Sequence, residues 1–367
     1  ALGINPNYAE PHYNRGVVLN DMRRLNDALL SYDKALAIDP SHAQAHNNRG
    51  NVLKDLKRYE EALAAYDRAI SIKPDYADAL HNKGIALLEM KRFTEAVSCF
   101  DQTLAINPQY EFIRGTCQHT RMKLCDWNSF TEQLGLLQKA IADNQRVTTV
   151  FPALHIIDSP RLQQQASEIY TQGVHPSLVS SSPAPLKPAN SKLRLGYVSC
   201  DFKEHAVSYL MAGGFESHDR ERFEVYGYDI GPAPDSPTRS RVMAAFDQFK
   251  IVSDLSDKGI AEQIRQDQID ILIDLTGYTK GARTGIFAYK PATIQINYLG
   301  FPGTCALPGV DWIVANDVSG DVMGGDSNTV HLVREGKVEH WQTMSKDDVA
   351  RQLVDRLAQE LGTAADD

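Results

Sequence analysis

The feature that most constrains this chain is a 34-residue period across its first 110 residues. Pro6, Pro40, Pro74 and Pro108 fall 34 residues apart, as do Gly16, Gly50 and Gly84, and Tyr32, Tyr66 and Phe100. Repetition at that spacing means one supersecondary unit used several times. No unit buries its apolar face alone, so neighbours must stack into a continuous core. Each unit reads as a helix pair. Glycine with Ala28, Ala62 and Ala96 permits close helix contact, and the proline marks the turn after the second helix. The opening Ala1–Pro6 matches Ala35–Pro40, the end of a second helix, so the chain is expected to begin inside a repeat.

These columns resemble the tetratricopeptide repeat family, and the expectation for residues 1–110 is an α-solenoid. A further column, Asn14, Asn48 and Asn82, lies two residues before each glycine on the first helix. First helices line the concave face of such a superhelix, and an amide offers a peptide unit both a donor and an acceptor. The competing reading is that these amides satisfy a neighbouring helix or solvent.

Residues 111–190 lose the period but keep helical spacing at Met122–Trp127, Phe130–Ala142 and Gln163–Tyr170, as a helical connector would. The serine- and proline-rich run Ser180–Pro188 reads as an exposed linker.

From Leu193 to Thr304 short β-branched runs alternate with helical patterns, the mark of βαβ units and a parallel sheet. Strands are expected at Leu193–Ser199, Phe223–Ile230, Ile269–Leu275 and Ile294–Leu299, with helices at Ala206–Gly213, Pro237–Phe246, Lys258–Asp267 and Ala282–Ala288. The fold class is thus an α-solenoid followed by an α/β Rossmann-like half-domain, residues 191–308. Ligands of such sheets bind beyond the carboxyl ends of strands, which directs attention to Cys200–His205, Thr276–Arg283 and Gly300–Thr304.

Three stretches in that order, LRLGYVSCDFKEHAVSYLM, IDILIDLTGYTKGAR and IQINYLGFPGT, resemble the amino-terminal half of the catalytic region of the O-GlcNAc transferase family, its bacterial SPINDLY-like branch in particular. The resemblance covers roughly residues 1–305. It implies transfer of N-acetylglucosamine from its uridine diphosphate donor to Ser or Thr hydroxyls of proteins, with inversion and no obligatory metal or other cofactor. It places a catalytic histidine at His205, and it gives the asparagine column the role of holding an extended acceptor peptide. The His-Pro of many relatives is His205-Ala206 here, with Tyr209 where another histidine is common, so the resemblance assigns His205 a position and not a role.

Asp274, Tyr278, Thr279 and Arg283 are the remaining loop candidates. Gly277 and Gly281 bracket a loop whose N–H groups can approach a ligand closely, and Arg283 near a helix start suits an anion. The alternative is a tight strand-to-helix turn with solvated charges, the preferred reading for Lys280. Gly300, Pro302, Gly303 and Thr304 form a similar turn, read as shaping the domain.

After Thr304 the resemblance implies a second Rossmann-like lobe that supplies most donor contacts. About 60 residues follow instead. Asp311–Ser319, Met323–Asp326, Asn328–Leu332 and the closing helix resemble the carboxyl end of phosphopantothenoylcysteine synthetase, a cytidine-nucleotide-dependent enzyme. They read as a strand at Trp312–Ala315, a hairpin of Val330–Val333 with Val338–Trp341, and a helix opened by Ser345 and Asp348. Residues 309–367 are therefore expected to be a foreign tail, the chain a chimera, and its transferase activity lost with the donor lobe. A peptide- or protein-binding repeat scaffold without catalysis is the alternative.

Composition excludes other classes. A formal net charge of −9 with no basic run argues against nucleic acid as a partner. No stretch approaches the roughly 18 apolar residues of a membrane span, and no secretory pattern opens the chain, so the cytoplasm is expected. Cys99, Cys117, Cys125, Cys200 and Cys305 lack CxxC spacing and read as buried free thiols, and no ligand-spaced His/Asp/Glu cluster points to a metal.

Overall fold

A computed structural model describes residues 8–175, 192–301, 306–307, 309–316, 327–334, 337–345, 348–349, 352–353 and 355–356. Ala1–Pro6, the Ser180–Pro188 run, Pro302–Thr304, Cys305 and Met323–Asp326 lie outside them. The chain divides into two compact units, Ala1–Gly173 and Val174–Asp367.

The first unit opens with three helix pairs: α1 (Ala9–Asp21) with α2 (Leu25–Ile38), α3 (Ala43–Asp55) with α4 (Tyr59–Ile72), and α5 (Ala77–Glu89) with α6 (Phe93–Ile106). Tyr32, Tyr66 and Phe100 sit fully buried against the glycines of their partner helices. The first helix of each pair ends in the same way. Arg23, Lys57 and Lys91 adopt left-handed φ of 59°, 62° and 60°. The next N–H then reaches back five residues, Arg24 to Leu19 O at 2.9 Å, Arg58 to Leu53 O at 2.8 Å and Arg92 to Leu87 O at 2.9 Å. This closes the last turn as a Schellman motif does, with a cation where glycine is usual.

Four more helices follow, α7 (Ile113–Lys123), α8 (Phe130–Ala142), α9 (Val150–Ile156) and α10 (Pro160–Val174); Ile113 and Cys117 of α7 join the core of the repeats, while Leu137, Ile141, Ala153, Ala166 and Ile169 of the last three form a second core. The helix expected at Met122–Trp127 is instead the end of α7 and a turn. Cys125 takes φ 54° there and ends the helical run. Cys125 is also exposed, correcting its expected burial; Cys99, Cys117 and Cys200 are buried.

The second unit is an α/β sheet. In chain order it comprises β1 (Leu193–Ser199), α11 (Ala206–Glu216), β2 (Phe223–Asp229), α12 (Pro237–Ala244), β3 (Gln248–Ile251), α13 (Asp257–Gln266), β4 (Ile271–Asp274), α14 (Gly285–Ala288), β5 (Ile294–Tyr298), β6 (Trp312–Asn316), β7 (Ser327–Asn328), β8 (Val330–Arg334), β9 (Lys337–His340) and β10 (Met344–Ser345). The main sheet runs β3-β2-β1-β4-β5-β6-β8-β9, parallel from β3 to β6 and antiparallel across β6, β8 and β9, while β7 pairs with β10 separately. The parallel part therefore has six strands in the doubly wound order 3-2-1-4-5-6: the four expected, the unforeseen β3, and β6, which was expected as a strand but assigned to the tail. The edge strand β3 has only four residues, which gave no readable pattern.

Both faces of the parallel strands are covered. Leu195 and Tyr197 enter one apolar cluster, and Val198 and Cys200 enter the other. The sheet does not stop at residue 308. Trp312 lies opposite Ile296 in parallel register, and Trp312, Val314, Val330, Leu332, Trp341 and Val349 share the core of β1, β4 and β5. Ser345 accepts from the N–H of Asp348 at 3.1 Å, the expected capping start.

Candidate functional site

The doubly wound order reverses direction between β1 and β4, and the loops leaving their carboxyl ends are where a ligand crevice forms. Cys200 stitches these two loops together. Its N–H donates to Thr276 Oγ1 at 3.3 Å and its thiol to Lys280 O at 3.4 Å. Gly281, at φ 87°, leaves room for it, because a Cβ there would stand 3.0 Å from the sulfur. Burial pushes the Cys200 thiol up to about 12, so it is a packing group and not a nucleophile.

His205 caps α11, its Nδ1 accepting from the N–H of Val207 at 3.3 Å. With Nδ1 so engaged, the neutral ring carries its proton on Nε2. Asp201 Oδ2 lies 3.7 Å from Nδ1, while Lys203 Nζ lies 3.2 Å from the other oxygen and donates to Cys200 O at 2.8 Å. Asp201 is nearly buried, whereas the His205 side chain is 44% exposed at the sheet edge. Beside it the Glu204 carboxylate takes hydrogen bonds from Thr238 and from Tyr209, which hold it down at about 2. The sequence reading directed attention to the Cys200–His205 loop but did not single out Asp201 and Glu204 within it.

Asp274 ends β4 and is buried. Its Oδ1 accepts from the N–H groups of Thr276 at 2.9 Å and Gly277 at 3.1 Å, and its Oδ2 from Asn297 Nδ2 at 3.2 Å. Burial nevertheless raises its carboxyl above the ordinary range, outweighing those three bonds. The carboxylate thus shapes its own loop. Gly277 turns there at φ 58°, where a Cβ would stand 2.3 Å from that of Phe301.

Tyr278 meets Phe301 edge-on with centroids 5.8 Å apart, and Thr279 donates to Thr276 O at 2.9 Å. The guanidinium of Arg283 reaches the β3–α13 connection, donating to Asp257 Oδ1 at 2.8 Å, Leu255 O at 2.6 Å and Ser253 O at 3.4 Å. Of the loop candidates, Tyr278 and Thr279 stay with the Thr276–Arg283 loop, while His205 is held by contacts on the β1–α11 side. A buried pair lies behind them. Arg239 Nη1 sits 2.7 Å from Asp229 Oδ2 at the end of β2, but donates its well-aligned hydrogen bond to Phe202 O at 2.8 Å.

In the repeats the asparagine column forms a side-chain chain. Asn82 Nδ2 donates to Asn47 Oδ1 at 3.0 Å, Asn47 Nδ2 to Asn48 Oδ1 at 3.2 Å, and Asn48 Nδ2 to the Tyr13 hydroxyl at 3.2 Å. Asn48 and Asn82 are half-buried and Asn14 is exposed. Asn47, buried next to the column, links one repeat to the next and was not singled out in the sequence.

Comparison with known proteins finds family matches along the chain. Residues 167–332 match the profile of glycosyl transferase family 41; residues 18–57, 50–91 and 77–110 match tetratricopeptide repeat profiles; and residues 305–361 match the DNA/pantothenate metabolism flavoprotein C-terminal domain. The chain is 36% identical over 216 residues to the probable UDP-N-acetylglucosamine–peptide N-acetylglucosaminyltransferase SEC of Arabidopsis thaliana, covering 54% of this chain and 22% of that protein. To the Caenorhabditis elegans UDP-N-acetylglucosamine–peptide N-acetylglucosaminyltransferase it is 34% identical over 212 residues, 53% of this chain and 18% of that protein. The chain thus spans about a fifth of the length of these relatives. A solved Thermobaculum terrenum O-GlcNAc transferase variant aligns with a TM-score of 0.52 at 21% identity, over 83% of this chain and 53% of that one, a likeness of fold.

Proposed function

We propose that this chain is a protein-glycosylation module of the O-GlcNAc transferase type, whose repeats hold an extended Ser/Thr-containing peptide and whose sheet edge around His205 belongs to the sugar-transfer centre. The observation that carries it is the placement of His205, half-exposed at the carboxyl edge of a doubly wound sheet, inside the stretch similar to family 41. In an inverting transfer the acceptor oxygen forms a bond to the anomeric carbon as the bond to uridine diphosphate breaks, and the hydroxyl proton passes to an oxygen of the departing diphosphate or to water. With its proton on Nε2, His205 is suited to donate to an oxygen of the acceptor or donor and orient it. Asp274, Tyr278, Thr279 and Arg283 act by building the loops beside it.

On the repeats, Asn14, Asn48 and Asn82 are proposed to address the peptide backbone from the concave face. Each amide of the Asn48–Asn82 chain has hydrogen-bonding capacity beyond the contacts described, because a side-chain amide has two donors and two acceptor positions.

The chain on its own is proposed to bind peptide without turning over. The family 41 match ends at residue 332, and the flavoprotein C-terminal match continues to 361 where the resemblance implies a donor-binding lobe, which favours the scaffold reading for this chain. Fluorescence anisotropy of a labelled Ser/Thr-rich peptide, with wild type and an Asn48→Ala/Asn82→Ala variant, tests the binding half. Incubation with UDP-N-acetylglucosamine and mass spectrometry of the peptide tests the other. Binding at least tenfold weaker in the variant, with no added sugar in either sample, is the expected result. Equal binding rejects the peptide role, and sugar added by wild type rejects the inactivity.

A further inference from the structure

β8 and β9 carry two histidines directly opposite one another, His331 and His340. Their Nδ1 atoms are 3.0 Å apart, with ring centroids at 4.8 Å and planes crossing at 74°. His331 is half-buried and His340 exposed. Neither takes part in the site described above.

We propose that this pair is a bidentate site for a divalent transition metal, Cu2+ before Ni2+ or Zn2+. Two imidazole nitrogens bound at about 2.05 Å and cis on one metal stand about 2.9 Å apart when the N–metal–N angle is 90°, and about 3.35 Å apart in a tetrahedron. The separation of 3.0 Å is that of a hydrogen bond and is close to the cis edge of a tetragonal ion, the geometry of Cu2+ and Ni2+. Pairing across two hydrogen-bonded strands fixes both Cα positions, so little backbone ordering is left to binding. Imidazole affinity rises along the first-row series to Cu2+. The two Nδ1 atoms share a hydrogen bond, so binding displaces it, turns both Nδ1 lone pairs towards one point and, in neutral rings, needs a tautomer change. Among the described residues no group of three or more His, Cys, Asp or Glu forms a cage, so the pair offers two ligands to a metal whose other positions an added chelator can fill.

That last feature selects the probe. Cu2+–nitrilotriacetate leaves two cis positions open and discriminates against scattered single histidines. Electron paramagnetic resonance of the full chain titrated with this complex is expected to show one equivalent bound with hyperfine splitting from two additional nitrogens. His340→Gln and His331→Gln should each weaken binding at least tenfold and remove one of those nitrogens, with unchanged circular dichroism. A His119→Gln/His155→Gln variant, altering the other neighbouring histidine rings, whose centroids are 5.1 Å apart, should bind as wild type. Copper that persists in a His331→Gln/His340→Gln double variant, or that is lost in the His119/His155 variant, overturns the proposal. His340→Gln, on an exposed strand position, keeps the test informative if the half-buried His331 substitution impairs folding.

Discussion

A Cβ built on Gly50 would stand 2.5 Å from Cε1 of Tyr66, and the same distance separates Gly16 from Tyr32 and Gly84 from Phe100. The aromatic ring of each second helix packs directly against the glycine of its first helix, so the two sequence columns are one contact seen from both sides. The Tyr66 hydroxyl also donates to Asn51 Oδ1 at 2.8 Å, which leaves the ring little freedom to retreat.

Gly50→Ala is therefore expected to destabilise the first unit by about 1–3 kcal/mol, the usual cost of overpacking a fixed core. Urea unfolding followed by circular dichroism measures it. Tyr66→Leu should cost less in the Gly50→Ala background than in wild type, because the smaller side chain removes the clash; additive effects would show that the ring moves aside freely.

Breaking the buried pair at the end of β2 should be severe. Arg239 and Asp229 side chains are 5% and 0% exposed, and Asp229→Ala strands a guanidinium in the core. The expected loss is about 3–5 kcal/mol by chemical unfolding, whereas an Asp229→Leu/Arg239→Met double variant should recover much of it. A double variant less stable than Asp229→Ala would show that the pair itself stabilises the fold.

The pH dependence follows from the raised carboxyl of Asp274. A folded-state value above the ordinary 3.8 means that the folded protein binds the proton more tightly, so this group's contribution to stability falls as pH rises from about 4 through the folded value. Asp274→Asn should flatten that decline, since the amide oxygen still accepts from Thr276 and Gly277 and Asn297 can rotate to offer its oxygen. Thermal unfolding of both proteins between pH 3.5 and about 7 gives the difference curve, and a parallel pair of curves would contradict the assignment.

Arg283 tests whether the β4 loop depends on the β3–α13 connection. Arg283→Lys cannot reproduce three contacts to Asp257, Leu255 and Ser253, and should loosen the loop without unfolding the sheet. Faster hydrogen exchange at residues 276–284, with β1 and β2 unchanged, is the expected signature; uniform acceleration across the sheet would instead indicate a global loss.

How much was legible depends on distance along the chain. The helix pairs were readable because their signals, glycine, alanine, aromatic and proline at fixed intervals, come from contacts within one or two repeats. Strands β1, β2, β4 and β5 announced themselves as apolar runs. β3 did not, because Gln248-Phe249-Lys250-Ile251 has half its residues polar, as an edge strand permits. Sequence drew attention to the loops at the carboxyl edge of the sheet but not to the partners inside them. That Asp274 spends its oxygens on its own loop, and that Arg283 is committed to Asp257 across 26 residues, depend on packing alone.

The sequence by itself determined a stacked helical repeat and an α/β unit after it, because periodicity and strand composition report local burial. Only the tertiary structure decided that the sheet has the six-strand order 3-2-1-4-5-6, that Trp312 and the β8–β9 hairpin extend the same sheet and core, and that His331 meets His340. Strand order and cross-strand register arise from contacts between segments far apart in sequence, and no local pattern encodes which of several apolar strands will lie side by side.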